Sequence, residues 1–322
     1  METDMNQDQA NYALLIDRQT QQFIRHTQSW YPPDATELSV AEQRRIYDAM
    51  CREFHAGYPP GISSSDDDQL VASRHYRLAS SNLRRELAQI VYFHGGGFVV
   101  GGLESHDDVC AEICKATGFD VTAIDYRLCP EHPHPAAFQD ALAGVRKVWQ
   151  AHQVPIIVCG DSAGGNLAAA VSHRLRADSI CLAGQVLIYP GLGGDNRCGS
   201  YLTHASAPML TSAEVAYYSA IRHGSPHARE DASSAPLQDT DFSQLPPTVI
   251  FSAECDPLAD DGRHYRDKLQ QSGCQAVWFN EAGLVHGYLR ARHSVERAES
   301  SFHRITDAIN ALGEKRWPYS AQ

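Results

Sequence analysis

The spacing of apolar residues divides the chain into two unlike parts. Over residues 10–56 the apolar positions have helical spacing, with Leu14, Leu15, Phe23 and Ile24 on one face. Tyr31-Pro32-Pro33-Asp34 breaks that helix, and Ser39 with Glu42 has the spacing of a capping box that opens another. From Tyr58 to Asp68 the chain is rich in Pro, Gly, Ser and Asp and reads as a linker. This predicts a helical segment over residues 1–57 ahead of a main domain over residues 70–322.

Beyond Leu70 short β-rich runs alternate with helix-length stretches. Val71–Leu78, Ile90–Phe93, Val121–Ile124, Ile156–Cys159, Gln185–Tyr189, Thr248–Ser252 and Ala276–Phe279 are predicted strands. His106–Ala116, Ala137–Gln150, Gly165–Ala177 and Asp260–Gln271 are predicted helices. This rhythm is that of an α/β protein, a mostly parallel sheet with helices on both faces. The first runs, before Gly95, lie close together and are expected to pair as an antiparallel edge. From about 193 to 244 the rhythm fails: the segment holds Pro208, Pro226 and Pro236 and a helix-like run from Ser212 to His223. We expect it to join the N-terminal helices as a small helical cap over the sheet.

Composition narrows the function. With 322 residues, 43% of them hydrophobic and 20% charged, the chain can bury a large core. Its net charge of −12, spread along the sequence, argues against a nucleic-acid partner, which needs a clustered basic face. Met1 to Asn11 is polar, without the features of a secretory signal, and no apolar run approaches the roughly 20 residues that span a bilayer. The nine cysteines are scattered, so reduced thiols in a cytoplasmic protein with no membrane association are expected. Cys110 and Cys114 are one helical turn apart, a spacing that suits helix packing when no second metal-spaced pair accompanies it.

The chemistry begins at Gly160-Asp161-Ser162-Ala163-Gly164, a G-x-S-x-G pentapeptide. Alone it is a weak signal. Here the β-run Ile156–Cys159 precedes it and the Ala-rich run Asn166–Ala170 follows, the strand–turn–helix setting of a nucleophile elbow. A turn that tight needs glycine on both sides and holds the serine hydroxyl beside the positive end of a helix. Upstream, His94-Gly95-Gly96-Gly97 follows the strand Ile90–Phe93. Acyl transfer creates an oxyanion that waiting backbone N–H groups must stabilise, and bare glycines let them approach. Gly95, Gly96 and Ala163 are the expected donors, with His94 and Gly97 as support for the loop.

The remaining members of such a site come in the order acid, then histidine. Asp256 lies in the turn after Thr248–Ser252 and is fixed by Pro257; Glu254, Asp260 and Asp261 are its rivals, the last two resembling first-turn residues of a helix. Among the sixteen histidines, His286 stands between Val285 and Gly287 after the strand Ala276–Phe279, whereas His264 and His293 fall in helical stretches. Ser162, His286 and Asp256 are therefore the expected nucleophile, base and acid.

Taken together, His94–Phe98, Asp125-Tyr126-Arg127-Leu128, Pro130-Glu131-His132-Pro133, Gly160–Leu167, Asp256–Leu258 and His286-Gly287 resemble the hormone-sensitive-lipase-like (bacterial family IV) esterases. The likeness runs from about residue 70 to the C-terminus and looks closest in layout to bacterial acetyl esterases. It implies the α/β-hydrolase fold with a helical cap, and hydrolysis of short-chain acyl esters with no cofactor; we expect an optimum between acetyl and about octanoyl, and no metal. Cys129 and His134 stand where the resemblance leads us to expect alanine and phenylalanine, and His132 with His134 is read as loop structure and not as a metal pair. Other readings are an arylacetamide or amide deacetylase, a true lipase with a large apolar lid, and a non-catalytic ligand-binding relative. The last should lack one of the reactive groups. A small-molecule ester is the expected partner, and the chain is expected to be a monomer or homodimer.

Overall fold

In the computed structural model, residues 10–32, 38–79, 83–224 and 231–320 are described. Residues 1–9 of the predicted N-terminal segment, Pro33-Asp34 of its predicted break, and Pro226 lie outside them. Three helices open the chain: α1 (Tyr12–Leu15), α2 (Arg18–Gln28) and α3 (Val40–Phe54). Asp17 accepts the Thr20 N–H at 2.8 Å to start α2, and the predicted capping box of Ser39 and Glu42 starts α3. Phe23 and Ile24 are buried, but Leu14 is 82% exposed. The extended Ile16 ends α1 before that face can continue into α2.

The sheet has eight strands: β1 (Ile62–Asp67), β2 (Ser73–Leu78), β3 (Gln89–Phe93), β4 (Val121–Ile124), β5 (Ile156–Asp161), β6 (Leu182–Ile188), β7 (Thr248–Cys255) and β8 (Ala276–Val285). Their spatial order is β1-β2-β4-β3-β5-β6-β7-β8. Two expectations are corrected here. The segment read as a linker contains β1, a polar edge strand whose Ser63, Ser64, Ser65 and Asp66 are exposed and so carry no alternating pattern. The antiparallel edge exists, but β2 pairs with β1 and β4, while β3 sits inside the parallel part between β4 and β5. Closeness in sequence does not make neighbours when a crossover intervenes.

Between the strands run α4 (Asp107–Thr117), α5 (Ala136–His152), α6 (Ala163–Leu175), α9 (Ala259–Gln271) and, last, α10 (Glu296–Gly313). Side chains alternate between the two faces of the sheet. Ile90, Tyr92 and Ile157 pack with Ile113 of α4 and Ile309 of α10, whereas Val91, Phe93 and Val158 pack with Val145 of α5, Leu167 of α6 and Leu269 of α9. Both faces are thus covered, as near-continuous apolar runs in the central strands require.

The segment from 193 to 244 contains α7 (Ser200–Thr203) and α8 (Ser212–His223). It touches the N-terminal helices directly. Ala10 N–H donates to Thr203 O at 3.1 Å, Tyr12 Oη lies 3.4 Å from His204 Nδ1, and Gln43 Nε2 donates to Tyr217 Oη at 3.1 Å. No helix among the described residues is long and apolar enough to cross a membrane. All nine cysteines are free thiols, and Cys110 and Cys114 are buried on α4.

Candidate active site

The parallel strands end together, and their register brings the predicted residues to one place. Phe93 of β3 is level with Gly160 of β5, so the residues after them, His94–Gly97 and Ser162, leave the sheet at the same edge. Farther along, Cys255 of β7 pairs with Val285 of β8, so Asp256 and His286 leave their strands side by side. β8 carries extra residues before that pair, and Glu254 steadies the irregularity by accepting the Gly283 N–H at 2.7 Å.

Ser162 sits at the N-cap of α6 with φ +53° and ψ −117°, a conformation that costs a non-glycine residue about 1–3 kcal/mol. Packing enforces it. Ser162 N–H donates to Ile188 O at 2.8 Å, and the flanking glycines leave no room for a side chain. A Cβ on Gly164 would lie 1.9 Å from Phe93 O, and one on Gly160 would lie 2.5 Å from the Gly164 carbonyl carbon. Ser162 is left partly exposed at the head of a helix whose first N–H groups take no capping side chain.

His286 Nε2 lies 2.9 Å from Ser162 Oγ, and its Nδ1 lies 2.6 Å from Asp256 Oδ2. Asp256 is fully buried, and its other oxygen accepts the Leu258 N–H at 2.9 Å. The carboxylate oxygen on Nδ1 favours the tautomer with its proton there, which leaves Nε2 free to accept the serine proton. The rival acids are occupied elsewhere. Glu254 holds Gly283, Asp260 accepts the Ser200 N–H at 2.9 Å, and Asp261 accepts the Leu192 N–H at 2.6 Å. His264 is on α9, and His293, expected in a helix, occupies a turn where it meets Glu112 at 2.8 Å.

The glycine loop requires a correction. Gly95, expected to present its N–H to a substrate, donates it to Asp161 Oδ1 at 3.0 Å and is buried. Gly96 and Gly97 are the partly exposed members, and among the described residues neither N–H, nor that of Ala163, has a hydrogen-bond acceptor. His94 supports the loop: its Nδ1 lies 2.8 Å from Gly95 O, and its ring stacks on Tyr126 at 4.2 Å. Burial, with His106 nearby, pushes the His94 pKa down to about 4, so the ring is neutral and donates from Nδ1.

Sequence reasoning missed Asp161, which fills one of the unrestricted places in G-x-S-x-G. It is 3% exposed, and Tyr92 Oη (2.8 Å), Gly95 N–H (3.0 Å), Tyr189 Oη (3.2 Å) and His106 Nε2 (3.2 Å) surround its carboxylate. Burial alone would raise its pKa, but His106 and the hydrogen bonds outweigh that and hold it well below the usual carboxylate range. Also missed was Tyr218 of α8, whose ring lies where a Cβ on Gly97 would come within 2.8 Å of it. No local signal marks either residue.

One set of potential metal ligands occurs among the described residues, Asp108, Glu112 and His293. The Arg292 guanidinium already bonds Asp108 (2.5 Å) and Glu112 (2.6 Å), which leaves those acids committed to an ion pair. His134 lies 3.1 Å from Ser233 Oγ, and burial together with the Arg222 and His223 charges lowers its pKa to about 4.

A mostly parallel eight-stranded sheet covered by helices, with a serine, a histidine and a buried carboxylate in a row at its edge, has the fold of an α/β hydrolase. The sequence matches the family described as the alpha/beta hydrolase fold over residues 90–290. The chain belongs to that family, in its hormone-sensitive-lipase-like group. It is 37% identical over 235 residues to esterase LipI of Mycobacterium tuberculosis, covering 70% of this chain and 73% of LipI. It is 31% identical over 319 residues to an ethyl acetate hydrolase of Pseudomonas putida, covering 95% and 98% of the two chains. A Pyrobaculum calidifontis esterase structure superposes with a TM-score of 0.81 at 28% identity, covering 92% of this chain and 99% of that one.

Proposed function

We propose that this carboxylic ester hydrolase cleaves short-chain acyl esters, acetyl to about octanoyl, through an acyl-enzyme on Ser162. The observation that carries the reading is the contact chain Ser162 Oγ, His286, Asp256 at 2.9 and 2.6 Å. As Oγ attacks the ester carbon, its proton passes to His286 Nε2, and Asp256 stabilises the imidazolium. The C–O bond to the alcohol breaks as His286 returns that proton to the leaving oxygen. Water, activated by the same histidine, then adds to the acyl carbon and releases the acid and Ser162. The N–H groups of Gly96, Gly97 and Ala163 stabilise the oxyanion in both halves.

The helices before residue 57 and the 193–244 segment form the cap, a reading that rests on the hydrogen bonds between them and on Tyr218 beside Gly97. The similarity over nearly full length to an ethyl acetate hydrolase supports a small acyl group. A series of 4-nitrophenyl esters from acetate to palmitate tests this. We expect kcat/KM to peak at or below octanoate, and a maximum at palmitate would overturn the short-chain reading. A fluorophosphonate should add once, at Ser162, by peptide mass, and labelling elsewhere would overturn the nucleophile.

A further inference from the structure

We propose that Asp161 is a positioning residue whose carboxylate, next to the nucleophile, sets the direction of the oxyanion-loop N–H groups. The loop can be followed peptide by peptide, because in a trans peptide the C=O and the N–H point opposite ways. In the 94–95 peptide, the N–H of Gly95 is held by Asp161 Oδ1 (3.0 Å) and His94 O accepts from Tyr126 Oη (2.6 Å). In the 95–96 peptide, Gly95 O accepts from His94 Nδ1 (2.8 Å), which turns the Gly96 N–H away from the ring. In the 96–97 peptide, Gly96 O accepts the N–H groups of Val99 and Val100 (3.0 Å each), which turns the Gly97 N–H the other way. The polar ends left over are the N–H groups of Gly96 and Gly97, at the two partly exposed glycines.

Most of these bonds lie within the segment from His94 to Tyr126. The tie to Asp161 is different, because that residue ends β5 immediately before Ser162. It registers the loop on the nucleophile, so the donors and the attacking oxygen share one frame. The carboxylate is in turn fixed from three sides, by Tyr92 of β3, Tyr189 after β6 and His106 before α4. Gly95 itself is shaped to this contact, since a Cβ there would lie 2.4 Å from Asp161 Oδ2. Oxyanion donors must stand within about 0.4 Å of the right distance, and losing one costs roughly 100–1,000-fold in kcat. A loop released from its anchor should therefore lose rate and not affinity.

The bond to Gly95 needs an acceptor, not a charge, so asparagine should preserve most of it and alanine none. With rates normalised by active-site titration, we expect D161N to keep kcat within ~10-fold of the parent and D161A to lose ~100-fold or more, with KM within ~3-fold in both. For both, Ki for a trifluoromethyl ketone, whose adduct carries the oxyanion, should rise by the factor by which kcat/KM falls. A general loss of stability would lower the titrated fraction and leave kcat per site and Ki alone. If D161A does not fold, G95A breaks the same contact from the loop side and should show the same signature. The proposal is overturned if D161A, or G95A in its place, keeps kcat per site and Ki within ~3-fold of the parent, or shows its loss in KM alone. It rests on the esterase reading, and the two fail differently: no turnover by the parent sinks that reading, while parent turnover matched by D161A sinks only this role.

Discussion

Tyr218 of α8 lies against Gly97 of the oxyanion loop, so closely that a Cβ on the glycine would meet the ring at 2.8 Å. A residue of the 193–244 segment thus reaches the glycine loop directly, and under the proposed function its ring would bound the acyl pocket. Removing that ring should lengthen the accepted chain. In Y218A we expect the decanoate-to-butyrate ratio of kcat/KM to rise ~10-fold or more, in the range that methylene contacts in an apolar pocket command. An unchanged ratio would show that Tyr218 does not bound the pocket.

Gly164 makes the tightest approach at the elbow, with its missing Cβ 1.9 Å from Phe93 O. Both backbones belong to fixed elements, β3 and α6, so neither can yield cheaply. G164A should lose about 3 kcal/mol or more of unfolding free energy in urea, the upper range for overpacking a rigid site. A change below about 0.5 kcal/mol, the usual surface value, would mean that the elbow is looser than described.

Asp261 contributes one pH dependence to stability that a single substitution isolates. Burial pushes its pKa up to about 7, although the N–H groups of Leu192 and Gly194 and the Tyr201 hydroxyl pull it down. An unfolded aspartate titrates near 3.9, so between about pH 4 and pH 7 the folded state holds more protons than the unfolded one. Its contribution to stability therefore falls as pH rises through that window and is level above it. The melting temperature of D261N minus that of the parent should increase from pH 4 to pH 7. A flat difference would place the Asp261 carboxyl at its ordinary value.

Much of this arrangement was legible in the sequence because each candidate residue comes after a run of strand formers. Ser162 comes after Ile156–Cys159, Asp256 after Thr248–Ser252 and His286 after Ala276–Phe279, and parallel strands that end together deliver their succeeding residues to one edge. The assignment of Gly95 failed for a specific reason. Which way a peptide turns depends on partners from elsewhere, here Asp161 and His94, and a triple glycine looks the same whichever N–H is engaged. Strand β1 was hidden because an exposed edge strand of serine and aspartate buries nothing that would set a period. Asp161 and Tyr218 stayed hidden because their importance lies in contacts far apart in sequence, to Gly95 and Gly97.

Ser162, held 2.9 Å from His286 Nε2, is the proposed nucleophile, and every other role proposed at this site depends on it. Turnover of 4-nitrophenyl acetate by the parent protein and by Ser162→Ala, at matched folded concentration, tests this most directly. We expect the parent to release nitrophenol steadily and the variant to lose roughly four orders of magnitude or more in kcat. A Ser162→Ala protein that retains the parent rate would contradict the serine-esterase mechanism at its root.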